Sequence, residues 1–162
     1  MLSDFYEPNR AFAYYRHVIA WIQSFHPKTV LDVGGRRSPV LESLDPSIER
    51  VSLDKERIPG LQAGIRRITC DFMNWTPDKV YDVVACIQVL HHVEDPSAFA
   101  QRLFDTGRVV IIVVPYNLPQ GMNSGRHAMI SERTVYQWTQ RTPNATQLII
   151  DVGMQYLMCI YG

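Results

Sequence analysis

The chain is short of lysine, of cysteines in any useful spacing, of long apolar runs and of an excess of either charge. Only Lys28, Lys55 and Lys79 are lysines, so arginine supplies nearly all of the 16 basic residues, and these are balanced by 16 acidic ones. A protein that grips nucleic acid by neutralising phosphates shows a basic excess, so nucleic acid is not an expected partner. The three cysteines (Cys70, Cys86 and Cys159) have no metal-ligand spacing and form no even disulfide framework. Each falls in an apolar, strand-like run, where a free buried thiol in a reducing compartment is expected. No HExxH-like or histidine-plus-carboxylate pattern occurs, so no metal is expected. The longest aliphatic run, Val109 to Val114, is far shorter than the roughly 20 residues that span a bilayer. Residues Met1 to Glu7 lack the basic-then-apolar order of a signal peptide. A cytoplasmic protein with no membrane partner is expected.

What is present fits one globular domain over residues 1–162, with 46% hydrophobic and 20% charged residues. Residues 1–27 are expected to end in a helix packed on the remainder. It starts at Pro8, carries Phe12, Tyr15, Val18, Ile19, Ile22 and Phe25 at helical spacing, and stops at His26-Pro27. Strands are expected at 29–33, 50–53, 65–70, 81–87 and 109–114. Helices are expected at 40–44, 96–106 and from Ser131 to about Arg141. The final runs, 147–151 and 155–161, are joined by Val152-Gly153-Met154. So tight a link joins only antiparallel neighbours. Alternation of strands and helices, with aliphatic runs suited to strands covered on both faces, predicts a mostly parallel sheet.

The first strand, Thr29–Val33, breaks into Gly34-Gly35-Arg36-Arg37, and Ser38-Pro39 then has the signature of a helix start. Glycines let a backbone approach a ligand closely, and the positive end of a following helix favours an anionic group. Asp54 closes the second strand some twenty residues beyond Gly34, where a carboxylate can accept hydrogen bonds from ribose hydroxyls. Asp32 can orient the glycine loop, approach a ligand's amino group, or serve structure alone.

Together these residues resemble the class I S-adenosylmethionine-dependent methyltransferases of the small-molecule type. LDVGG is similar to the family's first motif, VSLD to its second, ITCDF to its third, and YDVVACIQVLHHVEDP to its post-strand-four segment. The closing hairpin resembles the reversed strand that separates this fold from nicotinamide-binding domains. The resemblance implies a Rossmann-like, mostly parallel seven-stranded sheet with an antiparallel C-terminal hairpin. It departs from the family in two places. The first motif ordinarily reads G-x-G, where this chain has Gly34-Gly35-Arg36-Arg37. The segments between strands two and three and between strands three and four are too short for full helices. Some covering helices are therefore expected to be reduced, leaving apolar sheet surface that favours a homo-oligomer or a partner protein.

The resemblance implies S-adenosyl-L-methionine as cofactor, held by Asp32, Gly34, Gly35, Asp54, Lys55, Asp71, Phe72, Gln88 and Leu90. Asp71 and Phe72 would flank the adenine, with Phe72 as a core residue the alternative, and Gln88 to His92 would line the sulfonium end. His91 or His92, and His127 in the loop after strand five, are the candidate general bases near neutral pH. For each, a role in shaping the site or a solvated position is the alternative. The implied activity is methyl transfer to a small molecule, with oxygen the preferred acceptor; the Asn/Asp-Pro-Pro-Tyr run of amine- and base-modifying members is absent after strand four, so DNA adenine or glutamine methylation is not expected. A methyltransferase-like domain that binds a partner without catalysis is the alternative.

Overall fold

The computed structural model describes residues 12–36, 38–57, 60, 62–122 and 125–162. The expected helix start at Pro8 and Arg37 of the glycine turn lie outside them. Helix α1 (Ala13–Ser24) leads into β1 (Thr29–Val33), a single 3-10 turn at Leu41–Ser43, then β2 (Glu49–Asp54), β3 (Ile65–Thr69) and β4 (Tyr81–Ile87). Helix α2 (Pro96–Thr106), β5 (Gly107–Pro115), α3 (Glu132–Thr139), β6 (Ala145–Asp151) and β7 (Met154–Tyr161) complete the chain. The seven strands form one sheet in the order β3-β2-β1-β4-β5-β7-β6. Strands β1 to β5 pair in parallel, and β7 runs antiparallel to both β5 and β6. This is the Rossmann-like α/β sheet with a closing hairpin that the sequence predicts.

Alternation along each strand sends side chains to two opposite cores. Leu31, Val33, Val51, Leu53, Val84 and Cys86 pack under α2 and α3 through Phe99, Leu103, Val135 and Trp138. Val30, Val83, Ala85, Ile111 and Val113 pack under α1 and the Leu41 turn through Tyr14, Val18, Ile22 and Leu44. Asp95 caps α2 by accepting from the Ala98 N–H at 2.9 Å, with Pro96 in its first turn. Ser131 and Thr134 form a reciprocal capping box on α3.

Three local expectations need correction. The inward face of α1 uses Tyr14 with Val18 and Ile22, while Phe25 is exposed. The helix expected at 40–44 is only the 3-10 turn, because Pro46 follows at once, so no helix dipole points at the glycine turn. Cys70 lies just past β3 and is half-buried rather than buried.

The uncovered sheet surface also differs from expectation. Beside β2 and β3 no helix follows, yet the face of β2 there is polar and buried. Arg50, Ser52 and Asp54 of β2 alternate onto it, beside Arg67 and Thr69 of β3. Arg50 is itself buried and spreads across the face, donating to the Leu41 carbonyl at 3.2 Å and to Gln62 Oε1 at 3.3 Å. Its long side chain covers apolar surface that a helix would otherwise cover. On the opposite face, Arg102 of α2 does the same for the β3–β4 segment. It donates to the carbonyls of Phe72 and Trp75 and lies 5.6 Å from the Phe72 ring centroid. Exposed apolar side chains remain at both edges: Met73 and Val80 between β3 and β4 are 39% and 52% exposed, and Leu148 and Ile150 of β6 and Val152 of the hairpin are 49%, 70% and 55% exposed.

Arg102 therefore substitutes for a missing helix. Replacing it with alanine leaves two carbonyls without their charged donor, a loss of about 2 kcal/mol. Arg102→Ala is expected to lower the melting temperature by roughly 4–8 °C for a domain of this size, measured by calorimetry.

Candidate functional site

The order of the sheet reverses between β1 and β4. The cleft outside the carboxyl ends of these strands is where open α/β sheets take ligands. Strain gathers there. Of the seven non-glycine residues with positive φ among the described residues, Arg36, Gln88, Asn117 and Met129 fall in the segments that follow β1, β4 and β5. Such conformations cost roughly 1–3 kcal/mol each and cluster at functional sites.

The turn after β1 is built around Asp32. Its carboxyl is 2% exposed and lies so close to Gly35 that a Cβ there would stand 2.1 Å from Asp32 Oδ2. Only glycine fits that position. Gly34 adopts φ +71, donates its N–H to the Leu53 carbonyl at 2.7 Å, and has Val89 against its α-carbon. The Ser38 N–H then returns to the Gly35 carbonyl at 2.6 Å. The Ser38 side chain hydrogen-bonds both Asp32 and the Val40 N–H. Burial, only partly offset by Ser38 and reinforced by the nearby Asp54, pushes the Asp32 carboxyl up to about 7. Its Oδ1 is buried without a hydrogen-bond partner.

Two more such atoms belong to the segment after β4. Gln88 Nε2 and His91 Nδ1 are buried and unpartnered. Buried polar groups are ordinarily paired, and three of the four orphans among the described side chains belong to the carboxyl side of β1 and β4. That concentration marks a place built to receive polar atoms.

The other expected residues fall into two groups. Asp54 ends β2, is 6% exposed, and accepts the Glu56 N–H at 2.9 Å through Oδ1, with Lys55 exposed beside it. Leu90 is fully buried in the α2-side core. Asp71 is exposed, and its carboxylate caps its own turn by accepting from the Met73 N–H at 2.9 Å. Phe72 is committed to the core, 4.9 Å from the Phe99 ring. This is the alternative reading for that ring, and the Phe72 carbonyl accepts from Arg102 Nε at 2.6 Å.

The histidines differ sharply. His91 is 2% exposed, and burial together with His92 and His127 pushes its imidazole down to about 3. At neutral pH it is an uncharged, weak base. His92 is exposed at 4.0 Å from the His91 ring, and its imidazolium form is held down by partial burial and by the charges of Arg36 and Lys55. His127 fastens the β5–α3 loop to the post-β4 segment. Its backbone N–H donates to the His91 carbonyl at 3.1 Å, and Nε2 donates to the Val93 carbonyl at 3.0 Å. A carbonyl only accepts, so Nε2 carries the proton in this bond. The ring meets Trp138 edge-on at 5.2 Å.

Residues 8–148 match a family model described as a methyltransferase domain. The chain belongs to that family.

Solved structures agree on the fold of this methyltransferase domain. The Burkholderia thailandensis 1,6-didemethyltoxoflavin-N1-methyltransferase, with bound 1,6-didemethyltoxoflavin and S-adenosylhomocysteine, aligns at TM-score 0.68 and 17% identity, covering 91% of this chain and 77% of that one. The magnesium protoporphyrin IX methyltransferase of Synechocystis PCC 6803, with bound SAH, aligns at 0.67 and 17% identity, covering 91% and 80%. The methyltransferase domain of bacterial CtHen1 aligns at 0.65 and 20% identity, covering 91% and 96%. No curated protein matches the chain in sequence.

Two features of the site escaped sequence reasoning. Ser38 was read only as a helix cap, although it is the buried partner of Asp32. Arg36 adopts φ +42, the left-handed backbone that glycine prefers, where the family's motif places its second glycine. The replacement of glycine by arginine was visible in the sequence, while the retention of the glycine conformation was not.

The methyltransferase domain should show the buried Asp32 in its pH profile. The folded value of about 7 lies above the ordinary 3.8. Its contribution to stability is therefore complete below about pH 4 and is lost as the pH rises through about 7. His91, shifted downward, works in the opposite sense. Melting temperatures from pH 5 to 8 should therefore decline more, or rise less, for the native chain than for Asp32→Asn.

Proposed function

We propose that this domain transfers a methyl group from S-adenosylmethionine to a small-molecule acceptor, with an oxygen nucleophile preferred. The observation that carries the reading is the gathering of the unpartnered Asp32 Oδ1, Gln88 Nε2 and His91 Nδ1 at the β1–β4 switch. It is supported by the family's chemistry and by the bound SAH or S-adenosylhomocysteine in two aligned methyltransferases. The balanced charge of the chain favours a small acceptor over a nucleic acid. Two of the aligned enzymes are named for methylating small molecules.

The residues present fit the cofactor. When bound, it supplies an electrophilic methyl group on a positively charged sulfur. Asp54 accepts from the ribose hydroxyls, and Gly34 and Gly35 let the turn pack tightly on Val89 and Asp32 beside it. Asp32 faces the ammonium of the amino-acid part, and that positive charge favours its ionised form. Asp71 serves the adenine beside Lys55, with Phe72 supporting it from the core, while Gln88 and Leu90 wall the sulfonium end. His91, neutral and buried, adds a polar wall rather than a base.

The reaction itself is an in-line displacement, in which the acceptor oxygen forms a bond to the methyl carbon as the carbon–sulfur bond breaks. Alignment of the two partners supplies much of the rate. A hydroxyl acceptor also loses a proton, and we assign its removal to His127, in the loop between β5 and α3.

Calorimetry with S-adenosylhomocysteine tests the cofactor site. The native chain should bind it, and Asp54→Ala should weaken binding by about tenfold or more, the loss of a charged hydrogen-bond acceptor. Transfer of labelled methyl from the cofactor to a metabolite extract then tests turnover. Label in an ether or ester supports oxygen, whereas label on nitrogen corrects the acceptor atom. Binding without any transfer would favour a domain that recognises the cofactor or a partner without catalysis.

A further inference from the structure

We infer that Arg36 is a ligand-binding residue, gripping the methionyl carboxylate of the cofactor from the position that the turn's geometry reserves for glycine. The inference rests on the cofactor reading above and goes beyond it, because the glycine motif itself supplies no cation.

The backbone of Arg36 is strained at φ +42, a conformation that arginine adopts at a cost and glycine adopts freely. A residue kept against its own preference needs a use for its side chain. The visible use is inadequate. Arg36 Nη2 meets Glu56 Oε2 at 2.7 Å, but the two side chains are 61% and 59% exposed. Exposed pairs of this kind contribute little. The pair does hold the guanidinium between the β1 turn and the segment after β2. Lys55 belongs to that same segment after β2 and His92 to the segment after β4, and the charges of Arg36 and Lys55 bear on the His92 ring. Cationic groups from the segments after β1 and β2 therefore converge on His92, after β4, at the mouth of one cleft.

On the inner side of the same turn lies the buried carboxyl of Asp32, with Oδ1 unpartnered. An acid within the turn and a guanidinium outside it match the two charges of an α-amino acid. The ammonium goes to Asp32, and the carboxylate goes to the planar fork of Arg36, which binds carboxylates in two-point fashion. Glu56 holds the guanidinium until the ligand's carboxylate replaces it.

The test compares S-adenosylhomocysteine with 5′-methylthioadenosine, which keeps the adenosine and thioether but lacks the amino-acid part. Arg36→Gly relieves the backbone and should raise the melting temperature by about 2–4 °C. The same variant should bind S-adenosylhomocysteine at least about tenfold more weakly and methylthioadenosine unchanged. Arg36→Lys, which keeps the charge without the fork, should fall between glycine and arginine for S-adenosylhomocysteine. Equal weakening of both ligands, or no weakening of S-adenosylhomocysteine, overturns the inference. Failure of the native chain to bind either ligand overturns the cofactor reading along with it.

Discussion

The contact between the Asp32 carboxyl and the α-carbon of Gly35 is the constraint on which the site depends. It demands glycine at position 35, because any Cβ would collide with the carboxyl oxygens. It also holds the turn in one path, since Ser38 bonds both Asp32 and the backbone beyond. Burying the carboxyl this way is unfavourable to its charge, which is why the group is pushed up to about 7. A fold that needed only a strand-to-loop turn has no reason to keep an acid there. A fold that receives a cationic ligand does.

The rest of the molecule supports that turn with few helices. Arg50 and Arg102 extend long side chains over sheet faces that lack helical cover, and both donate to backbone carbonyls of the segments they hold. The segment after β4 is tied to β5 by the Gln88 N–H to Val113 carbonyl bond and to the acceptor-side loop by His127. The positive-φ residues at Arg36, Gln88, Asn117 and Met129 show that local preference gives way along this rim. Regularity is kept in the sheet and given up where the ligand is received.

Much of this was legible in the residues. The β4 and α2 boundaries fall where the pattern places them, because aliphatic runs and the Asp95-Pro96 cap are strong local signals. The hairpin follows from its two-residue link at Val152-Gly153. What was not legible depended on tertiary partners. The helix expected at 40–44 collapsed to one turn, since Pro46 left it too short to propagate. Phe72 turned inward because Phe99 and Arg102, about thirty residues away, complete its environment. The helix-free face of β2 proved polar because Arg50, Ser52 and Asp54 share one side of a strand whose other side is Val51 and Leu53. Basicity was equally hidden, as nothing local to the His91-His92 pair foretells that one ring is buried and the other exposed.

The central claim is that the Asp32-held turn and the ends of β2 and β4 form the cofactor site. It is tested most directly by following the backbone amides of the native chain by NMR during titration with S-adenosylhomocysteine. The account predicts saturable shifts concentrated at Gly34, Gly35, Asp54, Phe72 and Gln88, with the β6–β7 hairpin unmoved. Shifts absent from those amides, or centred on another part of the sheet, would contradict it.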